Sequence, residues 1–325
     1  AGIGRETAFD IAKRGARVIL ACRNLESANQ VKEEIVRETK NENIVVLKLD
    51  LSSLKSVREF AAAVNKSESR LDVLIHNAGV ANTRKETTED GLEMTMATNH
   101  YGPFLLTHLL IDLLKRSAPS RIVVVSSLVY KLGKVNINNP NPVNTFPPYL
   151  YFVSKYANIL FTRELSRRLE GTGVTANSLH PGLVDTGIWR SAPFPLILPL
   201  KLALKSFSKN PKEGAQTTIY LAVSEEVEGV TGKYFEDCKV CSYYWNTIFC
   251  LLIKVILKML AEKFVICCSQ ELYYKFYAYF NRCRREPKIR DINYFIVDAS
   301  IQMRLKDEYI HCPVNFFFCG GGYLF

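Results

Sequence analysis

The chain of 325 residues predicts an α/β fold, a doubly wound parallel sheet with helices on both faces. Two observations carry that prediction. Short β-branched runs alternate with longer amphipathic stretches from Ala1 to Phe235, and the glycines Gly2 and Gly4 open the first amphipathic stretch. Parallel strands need crossover connections, which such stretches supply.

Taken in order, the apolar runs Arg17–Leu20, Ile44–Leu49, Val73–Ile75, Ile122–Val125 and Val174–Leu179 are short and β-branched, as buried strands are. Helical patterns lie around them at Glu6–Arg14, Leu25–Thr39, Leu54–Asn65, Gly91–Lys115, Tyr151–Glu170 and Lys212–Val223. In a sheet of this kind the loops after the strands carry the chemistry. The chain opens at Ala1 inside the glycine motif, so the first strand, which belongs in the centre of the sheet, is expected to be missing.

Domain organisation follows from where the rhythm stops. Residues 1–239 form the expected nucleotide-binding domain. Within it, the proline-punctuated apolar stretch Pro193–Lys205 suggests a substrate lid near 187–211, with a core-packed loop as the alternative. Residues 240–325 form an atypical tail rich in Tyr, Phe, Ile, Cys and Lys. Ile248–Leu260 is apolar, but Lys254, Lys258 and Glu262 recur every fourth residue and make one polar stripe, which suits an interfacial helix better than a membrane span. The other reading of the tail is unselected sequence translated past a splice site or frameshift.

The net charge of +10 is spread along the chain, which argues against nucleic-acid binding and for weak attraction to anionic cofactors or membrane surfaces. The nine cysteines lack the paired spacings of a zinc site, so no metal is expected. Their odd number without a secretory signal suggests a reducing compartment.

The candidate chemistry centres on Tyr151 and Lys155, four residues apart in "YFVSK" and therefore on one face of a helix. A nearby ammonium is expected to draw the phenol down from its free pKa of about 10. Ser126 and Ser127 close the strand before them and offer a hydroxyl for a substrate oxygen; Tyr149 is the rival tyrosine. Gly2 and Gly4 let backbone amides approach a pyrophosphate at a helix N-terminus. Arg23 follows "RVILAC" where an acid usually meets the ribose hydroxyls, and an arginine there suits a 2′-phosphate, so NADP(H) is the expected cofactor; an ordinary solvated arginine is the alternative. Asp50 and the run Asn77-Ala78-Gly79 sit at carboxyl ends of strands, and Asp50 is also placed to cap the helix that follows.

The motifs "GIG", "LDLSS", "HNAG", "TNHYG", "IVVVSS", "YFVSK" and "HPGLVDT" occur in the order and spacing of the short-chain dehydrogenase/reductase family, whose fold is the Rossmann type. The wording around them, including "GRETA", "LACRN", "GPFLLTHLL" and "GKYFEDCK", resembles its retinol dehydrogenase branch, of the retinal-reductase type, as far as about Lys239. Departures are His76, where the family more often has Asn, Phe152-Val153 before Ser-Lys, and the tail. The resemblance implies an NADP(H)-dependent oxidoreductase acting on a lipophilic carbonyl or alcohol, with retinal and retinol the best guess. It assigns Tyr151 as general acid/base, Lys155 as its activator and ribose ligand, Ser127 to the substrate oxygen, and Asn99 to a relay water. Gly2, Ile3, Gly4, Arg23, Asp50, Leu51, Asn77, Ala78, Gly79, Pro181, Gly182, Val184 and Thr186 would line the cofactor. Membrane association, at the endoplasmic reticulum or a mitochondrion, and a homodimer are further expectations. The competing reading is a truncated, catalytically silent product lacking the central strand.

Overall fold

The computed structural model describes residues 2–184 and 208–241, together with the backbone of 297–305 and 308–316. The expected lid up to residue 207, Thr186 and the Ile248–Leu260 stripe lie outside the described residues, while the lid's last expected residues, 208–211, lead into a helix that starts at Pro211. The chain divides into two units, Ala1–Ser242 and Tyr243–Phe325. In the second, an antiparallel hairpin pairs Val297–Leu305 with Glu308–Phe316.

In the first unit, helix α1 (Gly2–Lys13) leads into strand β1 (Val18–Cys22), α2 (Leu25–Thr39), β2 (Ile44–Lys48), α3 (Leu54–Ser67) and β3 (Val73–His76). A short helix α4 (Met94–Met96) runs through a π-helical turn, Ala97–Tyr101, into α5 (Gly102–Arg116). Strand β4 (Ser120–Val125), a 3-10 turn (Leu128–Leu132), α6 (Pro147–Arg168), β5 (Val174–His180), α7 (Pro211–Val223), β6 (Tyr234–Glu236) and β7 (Lys239–Val240) complete it.

Local chemistry sets the helix ends. The Asn24 and Ser53 side chains accept from the backbone amides of Ser27 and Ser56 at the starts of α2 and α3, and Asn210 with Glu213 forms a reciprocal capping box before Pro211. Each such cap contributes about 1 kcal/mol. Helix α6 begins on two prolines at Pro147, one turn before the sequence pattern places it, so Tyr151 lies inside the helix. The single helix expected over Gly91–Lys115 instead starts at Met94, where the Glu93 carboxylate accepts from the Met96 amide, and widens at the π turn. Such a turn redirects the side chains it carries, here Asn99.

The sheet is described in two parallel pieces, β1–β2 and β3–β4–β5–β6, the latter extended by antiparallel β7. Helices cover both faces. Along β4, Ile122 and Val124 pack toward Leu114 and Leu169, while Val123 and Val125 pack toward Leu221 and Phe235, the alternation that a two-residue period dictates. Ile19 of β1 and Leu74 of β3 pack against one cluster, Val57, Phe60, Leu106 and Leu110, so the two pieces share a layer. Among the described residues, no strand pairs with the second edge of either β1 or β3. Their burial reflects this: β4 and β5 are buried at nearly every position, whereas Val73, Leu74 and Ile75 are only part-buried and Ala21 is exposed. No described helix is long and apolar enough to cross a membrane.

Candidate active site

The carboxyl ends of β3, β4 and β5 bring the predicted residues together against α6. Tyr151 and Lys155 are both buried, and the Lys155 Nζ lies 5.6 Å from the centre of the Tyr151 ring. The Tyr151 and Ser127 side chains share a hydrogen bond. Their rivals are engaged elsewhere: the Ser126 hydroxyl donates to the Lys155 carbonyl at 2.7 Å, and the Tyr149 hydroxyl accepts from the Lys134 amide at 3.2 Å.

The electrostatics differ from the sequence expectation. Burial pushes the Tyr151 phenol up to about 12, opposed by its hydrogen bond with Ser127. The same burial pushes Lys155 down to about 8. Desolvation outweighs any attraction between the two, because each charged form loses its hydration in this pocket. The resting tyrosine therefore keeps its proton.

Asn99 is fully engaged through its side chain. Its Oδ1 accepts from the Val80 amide at 2.8 Å, while Nδ2 donates to the Val80 carbonyl at 2.9 Å and the Ser154 hydroxyl at 3.0 Å. Its carbonyl accepts from Asn158 Nδ2 at 3.0 Å. Asn99 thus ties the turn after β3 to α6.

Several close approaches test whether a dinucleotide fits. A Cβ on Gly4 would meet Asn77 Nδ2 at 2.7 Å, and one on Gly79 would meet Lys155 Nζ at 3.2 Å. A Cβ on Gly214 of α7 would meet Val184 at 2.6 Å and Ile3 at 3.4 Å. The glycine turn at Gly2–Gly4, the Asn77–Gly79 turn, Lys155 and Val184 therefore converge around the start of α1. Leu51 lies against α5, where a Cβ on Gly102 would come within 2.3 Å of its carbonyl oxygen.

Asp50 does not cap α3, a role taken by Ser53. Its Oδ1 instead accepts from the Ser52 amide and hydroxyl at 2.9 and 2.6 Å. Arg23, just beyond β1, is exposed and makes no ion pair or hydrogen bond among the described residues. These features fit a nicotinamide dinucleotide: backbone free of side chains where it must approach closely, and an exposed cation, Arg23, at the end of β1.

Sequence reasoning missed three contributors. His180 accepts from the Gly182 amide, Ser154 bridges Asn99 and Tyr151, and Thr107 partners His76 at 2.7 Å. Only His180 carried a signal, as the residue directly before the Pro181-Gly182 turn.

Comparison with known proteins agrees with this geometry. The short chain dehydrogenase family model matches residues 1–193. Retinol dehydrogenase 14 of Mus musculus is 51% identical over 251 residues, covering 73% of this chain and 75% of that protein. Retinol dehydrogenase 11 of Homo sapiens is 48% identical over 240 residues, covering 74% and 75%. Among solved structures, a short chain dehydrogenase from Escherichia coli CFT073 complexed with NADPH is 27% identical, with a TM-score of 0.59 and coverage of 73% of this chain and 92% of that one. An oxidoreductase architecture, the Tyr–Lys helix and these likenesses lead to one conclusion: the chain belongs to the short-chain dehydrogenase family, in its retinol dehydrogenase branch.

Proposed function

We propose that this chain is an NADP(H)-dependent oxidoreductase that interconverts a lipophilic carbonyl and its alcohol, with all-trans-retinal and retinol the preferred pair. The observation that carries this reading is the buried Tyr151 sharing a hydrogen bond with Ser127 and standing 5.6 Å from Lys155 Nζ. When bound, the nicotinamide supplies or accepts the hydride. Tyr151, a phenol pushed up to about 12, holds the proton that the substrate oxygen receives during reduction. Ser127 holds that oxygen and stabilises its developing charge. Lys155, buried beside Gly79, holds the ribose and gains a partner for its charge there.

The 2′-phosphate preference rests on Arg23, which is exposed and meets no competing carboxylate among the described residues. The retinoid preference rests on the names of the similar proteins. The catalytically silent alternative has less support, because the candidate residues stand together as the reaction requires.

An activity panel crossing NADPH and NADH with all-trans-retinal and non-retinoid aldehydes tests the proposal. NADPH-dependent reduction of retinal is the expected result. A protein inactive with every pair, though folded, would refute it.

A further inference from the structure

Strand β5 ends at His180, whose ring is buried and accepts the Gly182 amide on Nδ1 at 3.0 Å. An accepting Nδ1 leaves the ring proton on Nε2. That nitrogen approaches Oε1 of Glu236, its register partner on β6, to 3.0 Å, though off the line of a straight hydrogen bond. The ring also stacks on Tyr234 at 5.9 Å, and Tyr234 packs edge-on against Tyr130, which stacks in turn on Tyr156 of α6. His180 is therefore fixed from three sides before it meets the turn.

Gly182 holds a φ of +87°, open to glycine, and a Cβ there would press on the Lys209 side chain at 3.1 Å. Two residues on, Val184 bridges to Lys209 and packs against Gly214 and so beside Ile3. Of the three residues Pro181, Gly182 and Leu183 that set the path to Val184, Pro181 has no amide proton, so the Gly182 amide is the first donor that can anchor the path.

We infer that His180 is a positioning residue for the Pro181–Val184 turn: its Nδ1 anchors the Gly182 amide so that Val184 stands beside Ile3 of the pyrophosphate-facing glycine motif, in place to line the cofactor. This rests on the cofactor reading above. Glu236 holds the ring so that Nδ1, and not Nε2, faces Gly182.

Two substitutions in the 325-residue chain separate the ring's two nitrogens. In His180→Asn the side-chain Oδ1 takes the place of Nδ1; in His180→Gln the amide reaches only the Nε2 position. The measurements are NADPH affinity, the split between cofactor KM and kcat, melting temperature and hydrogen exchange at the Gly182 amide. His180→Asn should stay within about threefold of the parent in all of them. His180→Gln should raise the cofactor KM about tenfold or more and speed Gly182 exchange by a similar factor, with kcat and melting temperature changing far less. Equal behaviour of the two variants, or a loss confined to melting temperature, overturns the inference. If the parent binds no nicotinamide nucleotide, the cofactor reading fails, and Gly182 exchange in the two variants still decides whether His180 anchors the turn.

Discussion

Lys155 donates to the Val125 carbonyl at 3.0 Å while its Nζ stands 5.6 Å from the Tyr151 ring centre, so strand β4 holds the lysine in place beside the tyrosine. Holding a cation there has a cost. Burial lowers the Lys155 pKa from 10.5 to about 8, which corresponds to roughly 3 kcal/mol of disfavoured charge in the folded state.

That cost gives a stability prediction. Between pH 8 and 10.5 the unfolded chain binds the proton more tightly, so wild-type stability rises with pH across this window. Lys155→Met removes the penalty and loses one hydrogen bond worth about 1 kcal/mol. At pH 7 the variant should be inactive yet melt several degrees higher, and the difference should shrink toward pH 10.5. A variant that melts lower than wild type at pH 7 contradicts this.

His76 predicts the acid limb. Burial pushes it down to about 4, and its Nε2 is bonded to Thr107 Oγ1, whose own proton goes to the Pro103 carbonyl. His76 Nε2 thus donates to Thr107 in either charge state, and it is burial that makes the folded state favour the neutral ring. Its contribution is fully present above about pH 6.5 and is lost as pH falls toward 4, by up to about 3 kcal/mol. His76→Asn should flatten this limb in denaturant titrations at pH 4 to 7, and an unchanged slope would count against the assignment.

Gly133 ends the 3-10 turn that follows Ser127, and a Cβ there would lie 2.3 Å from the Phe152 carbonyl oxygen. Backbone at that distance does not yield cheaply, and overpacking costs about 1–3 kcal/mol. Gly133→Ala should lower the melting temperature and reduce turnover, because it pushes the Ser127 segment away from α6. Wild-type kinetics in this variant would mean that the Ser127–Tyr151 relationship tolerates displacement.

Arg23→Asp should weaken NADPH binding at least tenfold and leave NADH unaffected, since the guanidinium has nothing to grip in a cofactor lacking the 2′-phosphate. Titration of both nucleotides by fluorescence checks this. Parallel losses for the two would point to misfolding, and no loss for either would remove Arg23 from the site.

Much of this was legible in the sequence, for identifiable reasons. Strand β4 is buried on both faces and its run Ile122–Val125 reads as continuously apolar, and α2 announces itself through Asn24 and its periodic apolar face. Strands β6 and β7 escaped notice because three and two residues are too few for any period to show. The π turn at Ala97–Tyr101 escaped because a helix with one widened turn keeps a helical pattern. At the site, spacing put Tyr151 and Lys155 together on one helix, as the structure has them, but did not give the direction of their pKa shifts. Spacing shows which groups are near, whereas burial depends on everything packed around them. The family resemblance assigned Ser127 over Ser126, but the physical difference between them needed coordinates: only position reveals that the Ser126 hydroxyl already serves the Lys155 carbonyl.

The central claim is that Tyr151 delivers the proton while the cofactor delivers hydride to a lipophilic carbonyl. The most direct test follows deuterium from NADPH labelled at the nicotinamide C4 into retinol, comparing wild type with Tyr151→Phe at equal, saturating cofactor. Label should appear in the product with wild type, and the variant's rate should be at least a hundredfold lower, with NADPH affinity nearly unchanged. Label transfer by Tyr151→Phe at the wild-type rate would contradict it.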